Sequence, residues 1–314
     1  MLPAMTNPAP LDAAAADLPP DLLERIEEVA VELAQLAGAE IVSTLGREII
    51  VEYKDDPGGT ARPTNPVSDV DHAVEALVRQ RIGEYFPDHG IVGEEVELHP
   101  DPSHEFLWVI DPVDGTTNFI NGFPLFAASV GVLHRGYPIA GAIWCSTGHE
   151  LRAGVYHARV GGTLRFEGRE VPVNRPSVGV RRRLAAGPGG NAGRAAGWDV
   201  RVTGSAAIEC AFVAAGIFAS TVFWGLKLWD VAGGVVLVRA AGLEAWTRDA
   251  NGWKPFERFE APAQVKEDRT PSLRDWREPL LIGTPEATSA VRLDNGGPRW
   301  WWRVRLAYRI LTRR

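Results

Sequence analysis

Apolar residues recur at helical spacing in two stretches near the start of the chain. Across residues 21–45 they lie on or near one side of a helix, and Asp21, which follows two prolines, marks its beginning. Residues 68–86 carry a second apolar stripe of the same period. The first stripe consists of Leu23, Ile26, Val29, Leu33, Leu36 and Val42, and the second of Val74, Leu77, Val78, Ile82 and Tyr85.

Short apolar runs predict the strands. They cover residues 49–53, 91–92 and 106–110, and the second and third run directly into acidic residues. Between residues 125 and 173, several strand-like runs are separated by Gly, Pro or His, a pattern typical of an antiparallel meander.

The second half of the chain continues the alternation of helices and strands. The pattern predicts helices at 204–216, 230–242 and 286–291 and strands at 221–224 and 280–282, with Gly242 ending the middle helix. This alternation predicts a mixed α/β class. A basic, glycine-rich passage at 181–197 indicates a junction, so we expect one domain over 21–180 and another over 181–297.

Composition limits the classes of function. A chain of 314 residues with 45% hydrophobic and 23% charged residues is typical of globular proteins, and its net charge of −7 argues against a nucleic-acid partner. Its two cysteines form neither a disulfide framework nor a zinc site, which favours the cytoplasm. Residues 1–20 are rich in Ala and Pro and do not resemble a signal peptide, so we expect a disordered N-terminal extension.

The most informative stretch is 108–119, where an apolar strand ends in Asp111 and Asp114. Pro112 stiffens the backbone between them and can turn the Val113 carbonyl inward. Carboxylate oxygens bind hard divalent cations, and the backbone N–H groups of a turn bind phosphate. Asp114 can cap the turn that begins at Gly115, which leaves the N–H groups of that turn for a phosphoryl group.

Three further acids could complete a Mg²⁺ site. They are Asp71 at the start of the second helix, Glu94 after a strand, and Asp230 at the start of a later helix. Mg²⁺ prefers oxygen ligands and can activate water against a phosphate ester, so the set predicts a metal-dependent phosphatase.

These motifs together resemble the inositol monophosphatase family. The ordered set is Gly-Glu-Glu at 93–95, Trp-Val-Ile-Asp-Pro-Val-Asp-Gly-Thr-Thr-Asn-Phe at 108–119 and Leu-Lys-Leu-Trp-Asp-Val-Ala-Gly-Gly at 226–234. The similarity runs from about residue 21 to 291 and includes 66–71 and 204–207. It implies a layered α/β/α/β/α sandwich of the sugar-phosphatase type, a homodimer, two or three Mg²⁺ ions and sensitivity to lithium.

The resemblance also implies roles for single residues. Glu94, Asp111 and the Val113 carbonyl would bind the first metal, and Asp111, Asp114 and Asp230 the second. Thr116, with Asp71 or Glu94, would orient the attacking water. The substrate, a small phosphorylated metabolite, would contact Asp114, Gly115, Thr116, Ala206, Phe223 and Asp230.

Position 223 departs from the family pattern. Relatives specialised for inositol phosphate carry Glu there, seven residues before the aspartate of Trp-Asp, whereas this chain has Phe223. A hydroxyl that faces a phenyl ring loses its acceptor. The expected substrate is therefore inositol-1-phosphate-like, or alternatively fructose 1,6-bisphosphate, histidinol phosphate or 3′-phosphoadenosine 5′-phosphate.

The C-terminal tail, residues 298–314, combines three tryptophans and a tyrosine with six arginines. As a helix it is compatible with a peripheral membrane contact or with docking to a partner. Packing on its own domain or on a dimer mate is an equal alternative. A non-catalytic scaffold that docks through this tail is the second hypothesis for the whole chain.

Overall fold

Helices and strands alternate along the chain, as the sequence pattern predicts. The computed structural model covers residues 18–53, 66–98, 100–101, 104–172, 184–187, 198–266 and 268–294. The helices are α1 (Pro20–Thr44), α2 (Asp69–Tyr85), α3 (Thr116–Ile120), α4 (Ala206–Ala214), α5 (Leu228–Ala240) and α6 (Pro285–Asp294), with a 3-10 turn at Leu273–Asp275. The strands are β1 (Val51–Tyr53), β2 (Pro66–Ser68), β3 (Gly90–Gly93), β4 (Phe106–Asp114), β5 (Ala127–His134), β6 (Tyr137–Cys145), β7 (Gly154–Arg159), β8 (Arg165–Phe166), β9 (Arg169–Glu170), β10 (Leu184–Ala186), β11 (Asp199–Arg201), β12 (Ser220–Phe223), β13 (Glu244–Asp249), β14 (Gly252–Pro255) and β15 (Leu280–Gly283).

The largest sheet has seven strands in the order β3-β4-β5-β6-β7-β8-β9. Strands β3 and β4 are parallel, and each later neighbour is antiparallel. This arrangement confirms the predicted meander. It also brings the ends of β3 and β4 to the same edge of the sheet, because parallel strands point the same way.

The helices divide the molecule into layers. Helices α1 and α2 pack on one face of the large sheet, and α4 and α5 pack on the other. A four-stranded sheet, β12-β15-β13-β14, covers α4 and α5, and α6 contacts β15. One apolar cluster lies between the large sheet and α1 with α2, and a second surrounds α4 and α5. The fold is therefore an α/β/α/β/α sandwich.

Some details differ from the pattern-based predictions. Strands β13 and β14 were not predicted, because charged residues interrupt their alternation. In α1, Val42 is 49% exposed while Ile41 is fully buried, because the helix presents position 41 rather than 42 to the sheet. Within the expected junction at 181–197, residues 184–186 form β10, which pairs with β11.

The structure describes only part of the two predicted terminal segments. Residues 1–17 and the tail 298–314 lie outside the described residues. Of the expected N-terminal extension, Pro20 already belongs to α1. No helix in the described part of the chain is both long and apolar enough to cross a membrane.

Glycines allow α5 to pack directly on the large sheet. A Cβ at Gly141 of β6 would lie 2.3 Å from the carbonyl oxygen of Gly233 in α5. A Cβ at Gly131 of β5 would lie 2.6 Å from the amide nitrogen of the same residue. Both neighbours are backbone atoms that cannot rotate away. The close approach fixes the position of α5, which carries Asp230 at its N-terminal end.

We expect Gly141→Ala to destabilise the protein by about 1–3 kcal/mol, because the added methyl group must push α5 away from the sheet. Gly83→Ala is the matched control, since Gly83 is exposed on α2 with no atom within 4 Å of an added Cβ. That variant should gain up to about 1 kcal/mol from helix propensity. Urea unfolding measures both, and equal stabilities for the two variants would contradict the packing argument.

Candidate metal and phosphate site

A β-bulge directs Asp111 and Asp114 to the same side of the large sheet. Regular alternation would send side chains three residues apart to opposite faces. Here Asp111 pairs with Ser129 and Asp114 with Ala127, so three steps on β4 oppose two steps on β5. The extra residue restores the common direction of the two carboxylates. Pro112 suits this position because a bulge leaves one backbone N–H unpaired.

The turn after β4 requires glycine. Gly115 has φ 86°, a left-handed conformation, and an added Cβ would lie 3.1 Å from the Leu125 carbonyl oxygen. Asn118 fixes the turn through its side-chain amide, which donates to the carbonyl oxygens of Leu125 at 2.6 Å and Thr203 at 2.8 Å. The start of α3 is thereby held against the segment that leads into α4.

The acids and the turn enclose a pocket of about 210 Å³. Its lining contains most of the predicted site residues and three that were not predicted. The predicted residues are Glu94, Asp111, Val113, Asp114, Gly115, Thr116 and Asp230. The additional ones are Pro66, Thr117 and Gly204.

Asp114 caps a different helix from the one expected. The predicted cap at Gly115 is wrong, because the N-terminus of α3 has no side-chain cap. Asp114 instead accepts hydrogen bonds from the Ser205 hydroxyl and from the backbone N–H groups of Ala206 at 3.1 Å and Ala207 at 2.9 Å. The carboxylate therefore joins β4 to the first turn of α4, because the bulge turns it towards that helix.

Asp71, a predicted catalytic residue, caps α2 and lies behind Thr116 rather than in the pocket lining itself. Its Oδ2 accepts from the Ser68 N–H at 2.7 Å and the Ser68 hydroxyl at 2.5 Å. Its Oδ1 lies 3.2 Å from the Thr116 hydroxyl, which is also 2.9 Å from the Val113 carbonyl oxygen. Burial, with a smaller contribution from the charge of Glu94, raises the pKa of Asp71. One side chain therefore both caps α2 and contacts Thr116 of the pocket lining.

Asp111 has a buried oxygen that no donor among the described residues satisfies. Its carboxylate is buried, and Oδ1 has no hydrogen-bond partner among the described residues. Burial is the main cause that raises the pKa of Asp111 well above its ordinary value, followed by the charges of Glu94, Asp114 and Asp230. A buried anionic oxygen without a donor is unfavourable unless a proton or a cation neutralises it.

The pKa values of two neighbouring acids, Asp114 and Asp230, are raised as well. Burial raises the pKa of Asp114 to about 7, against the lowering effect of its hydrogen bonds from Ser205 and α4. Burial and the charge of Asp114 raise the pKa of Asp230 to about 8, although the Lys227 N–H donates to its Oδ2 at 2.8 Å. Mutual repulsion among these acids is the electrostatic signature expected at a cation site.

The donor set fits Mg²⁺ without forming a closed cage. The pocket lining contributes carboxylates and a carbonyl but neither His nor Cys. Within the described ranges, no three His, Cys, Asp or Glu side chains are gathered closely enough to hold one ion by themselves. Mg²⁺ keeps several waters and needs only one or two carboxylates, so an open set of oxygens suits it.

Glu94 is placed by residues that sequence reasoning missed. Glu75 of α2 accepts hydrogen bonds from the backbone N–H groups of Glu95 at 2.6 Å and Val96 at 3.1 Å. A Cβ at position 93 would collide with the Glu75 carboxylate, so a larger residue there would displace the group that accepts from these two amides. The sequence does show one Glu, Glu75, on the apolar side of α2, which indicates a buried acid. It does not show that the partner of this acid is a backbone N–H group 20 residues later.

Two predicted substrate contacts lie away from the pocket lining. Phe223 is 6% exposed and belongs to the apolar cluster around α4 and α5, because a phenyl ring gains more free energy in a core than beside carboxylates. Ala206 uses its N–H for Asp114, and Gly204 lines the pocket in its place. The predicted contacts of these two residues are therefore not part of the pocket.

The raised carboxyl pKa values predict how stability depends on pH without Mg²⁺. An unfolded Asp titrates near about 3.9, whereas Asp114 and Asp230 in the folded protein have pKa values of about 7 and about 8. Between these values the folded state binds more protons, so stability falls as pH rises from about 4 to about 8. Added Mg²⁺ should restore much of the lost stability at pH 8, because the ion binds only the folded state.

Thermal unfolding from pH 5.5 to 8.5, with and without Mg²⁺, measures this effect. Asp230→Asn should flatten the metal-free decline. Asp249→Asn is the control, because that acid is on the surface and its pKa is lowered. A metal-free unfolding temperature that rises between pH 6 and 8 would contradict the proposed repulsion.

Known proteins share both the sequence and the fold. The profile of the inositol monophosphatase family matches residues 22–270. The chain is 34% identical over 238 residues to the chloroplastic phosphatase IMPL1 of Arabidopsis thaliana, an alignment that covers 70% of this chain and 64% of that protein. It is 32% identical over 233 residues to the fructose-1,6-bisphosphatase/inositol-1-monophosphatase of Aquifex aeolicus, covering 70% and 84%.

Solved structures agree with the layered fold. An IMPase/NADP phosphatase complexed with Mg²⁺ and phosphate has a TM-score of 0.68 at 17% identity, covering 88% of this chain and 97% of that one. The IMPase of Thermotoga maritima has a TM-score of 0.65 at 21% identity, covering 87% and 97%. At these identities the likeness shows the fold alone, while the profile match spans most of the chain. This chain therefore belongs to the inositol monophosphatase family of phosphoric monoester hydrolases.

Proposed function

We propose that the chain is a Mg²⁺-dependent phosphatase that hydrolyses a small-molecule phosphate monoester in the acidic pocket. The main supporting observation is Oδ1 of Asp111, which has no hydrogen-bond partner in the described part of the chain, in a carboxyl group whose pKa is raised by burial and by the charges of the neighbouring acids. A cation satisfies that oxygen and neutralises the repulsion. The adjoining turn at Gly115 offers backbone N–H groups to a phosphoryl group.

The proposed ligands follow the positions of the acids. Glu94, Asp111 and the Val113 carbonyl would bind one ion, and Asp111, Asp114 and Asp230 would bind another. Waters would complete the coordination of both ions, because among the described residues three carboxylates are not gathered closely enough to hold an ion by themselves. Bound Mg²⁺ would neutralise phosphoryl oxygens, lower the pKa of a water and stabilise the departing alkoxide. A total of two or three ions is part of the proposal.

The chain's own residues would orient the water and accept its proton. If the Thr116 hydroxyl donates to Asp71 or to the Val113 carbonyl, its oxygen lone pairs face the pocket and can accept from a water. Ser68 fixes Asp71, so the geometry is held before the substrate binds. The raised pKa of Asp71 makes its carboxylate a better proton acceptor near neutral pH.

The proposed substrate carries its phosphate on the turn and its remainder towards the rim. Gly115, Thr116, Thr117 and Gly204 line that side of the pocket. Since Phe223 is buried, position 223 gives a polyol hydroxyl no acceptor. The family match still favours an inositol-1-phosphate-like monoester, which we propose as the substrate, and the missing acceptor at position 223 keeps the three alternatives named from the sequence as competitors.

Release of inorganic phosphate from these four compounds, with and without Mg²⁺, tests the function. We expect hydrolysis of at least one compound that requires Mg²⁺ and is lost with a chelator. No release from any of them at saturating Mg²⁺ would favour the non-catalytic scaffold instead.

Asp111→Asn should reduce turnover by on the order of 100-fold or more, because the amide removes the anionic oxygen that the cation needs. The fold should be retained, since the change also removes a buried charge. Asp249→Asn is the matched control, because it neutralises a surface acid. Hydrolysis by Asp111→Asn within a few-fold of the unmodified enzyme would refute the assignment.

Assembly and location remain predictions. A homodimer follows from the family resemblance. The peripheral membrane contact involves residues 298–314, which lie outside the described residues. Cosedimentation with lipid vesicles, before and after truncation at Pro298, separates a membrane anchor from a tail that packs on the protein.

A further inference from the structure

The connection between β14 and β15, residues 256–279, returns to the acidic pocket. The family profile ends at residue 270, yet the 3-10 turn at Leu273–Asp275 lies directly beyond it. Arg274 in this turn contacts the loop that carries Glu94, about 180 residues earlier in the chain. No motif of the sequence pointed to this contact.

The backbone of Arg274 is fixed by its own turn. The Ser272 hydroxyl accepts from the Arg274 N–H at 3.3 Å, and Asp275 accepts from the Ser272 N–H at 2.9 Å. Arg269 holds both oxygens of Asp275, at 2.8 and 2.7 Å. A bidentate pair of this kind restricts the turn strongly. The backbone at Arg274 is therefore fixed, and this sets the direction in which the side chain extends.

The guanidinium of Arg274 bridges the Gly93–Glu94 backbone and the ring of Trp229. Nη1 donates to the Gly93 carbonyl oxygen, and Nη2 donates to the Glu94 carbonyl oxygen at 2.9 Å. The same group lies 4.8 Å from the centroid of the Trp229 ring. Trp229 directly precedes Asp230 in α5. One side chain thus connects the backbone of one proposed metal ligand to the neighbour of another.

The Glu94 loop is held from both sides. On one side the Glu75 carboxylate accepts from the N–H groups of Glu95 and Val96. On the other side Arg274 donates to the carbonyls of Gly93 and Glu94. The peptide groups around Glu94 therefore have fixed donors and acceptors, which restricts where its carboxylate can reach into the pocket.

We propose that Arg274 is a positioning residue for the metal site, which fixes Glu94 relative to Asp230 so that both can bind Mg²⁺. The proposal rests on the proposed function in taking Mg²⁺ as the ion and Glu94 and Asp230 as its ligands. Arg274 touches neither substrate nor metal in this account. Its effect passes through the Gly93–Glu94 backbone and the Trp229 ring.

The direction in which Mg²⁺ affinity changes when Arg274 is replaced distinguishes positioning from electrostatic repulsion. A cation beside an acidic pocket repels Mg²⁺, so removing its charge alone should strengthen Mg²⁺ binding. Loss of positioning should instead weaken binding, because the supporting groups of metal ligands typically contribute 10- to 100-fold in affinity. The two explanations predict opposite changes.

The test measures Mg²⁺ binding by isothermal titration calorimetry for the full chain and for Arg274→Gln and Arg274→Lys. We expect Kd to rise about 10-fold in Arg274→Gln. Arg274→Lys should also weaken binding although it keeps the charge, because an ammonium group cannot span two carbonyls as a guanidinium does. An unchanged or lower Kd in both variants would overturn the proposal.

Arg239→Gln is the matched control. Arg239 also donates to two consecutive carbonyls, those of Phe256 and Glu257, and lies over an aromatic ring, Phe256, at 5.2 Å. Arg239 lies nine positions after Asp230 in α5, which is about 13.5 Å along the helix at 1.5 Å per residue. Its Kd for Mg²⁺ should stay within two-fold of the unmodified chain. A 10-fold rise there as well would mean that general loosening explains the effect.

Kinetics supply the second readout. In Arg274→Gln the Mg²⁺ concentration for half-maximal phosphate release should rise about 10-fold, while kcat at saturating Mg²⁺ stays within about two-fold. A lower kcat with unchanged Mg²⁺ dependence would contradict positioning. If no substrate is hydrolysed, the proposed function fails, yet the calorimetric titration still decides the role of Arg274. If Arg274→Gln does not fold, the comparison of Arg274→Lys with Arg239→Gln decides it.

Discussion

The site depends on the repulsion between carboxylates that the fold holds together in a buried pocket. Burial is the largest cause of the raised pKa values of Asp111, Asp114 and Asp230, and the acids raise each other's values further. Uncompensated buried charge costs several kcal/mol, so a protein selected for stability alone would replace these residues. Their presence is best explained by a cation that the pocket is built to receive.

Backbone geometry brings the acids together. The bulge in β4 turns Asp111 and Asp114 to one side, and the parallel pairing of β3 with β4 places Glu94 at the same edge. Helix α5 packs closely on glycines of the large sheet, and this packing places Asp230 in the lining of the pocket. Donors at the start of α4 then fix Asp114. The layered sandwich is the framework that makes these four placements compatible.

Much of this could be predicted from the sequence, for identifiable reasons. Long helices with a clear apolar stripe and strands bounded by Gly or Pro were found within a few residues, and the ordered acidic motifs identified Glu94, Asp111, Asp114 and Asp230. These signals are local, or they are carried by a family resemblance. Strands β13 and β14 were missed because charged residues obscured their alternation.

The supporting contacts could not be predicted because they are long-range and often use the backbone. Arg274 binds carbonyl groups about 180 residues away, and a carbonyl leaves no trace in residue type. Glu75 similarly holds amide groups rather than a charged partner on the next element. Phe223 was assigned by analogy with a polar position, whereas its phenyl ring is buried in the core. The acids that line the pocket could thus be predicted from the sequence, whereas the contacts that position them could not; their role as metal ligands stays a prediction.

Proton release on Mg²⁺ binding tests the central claim most directly. It is obtained at pH 7 from calorimetric titrations in buffers of different ionisation enthalpy. Because Asp114 and Asp230 have pKa values of about 7 and about 8 without metal, they carry protons that a cation must displace. The account predicts that binding releases protons and that this release shrinks towards pH 9. Binding without any proton release at pH 7, or no binding at all, would contradict it.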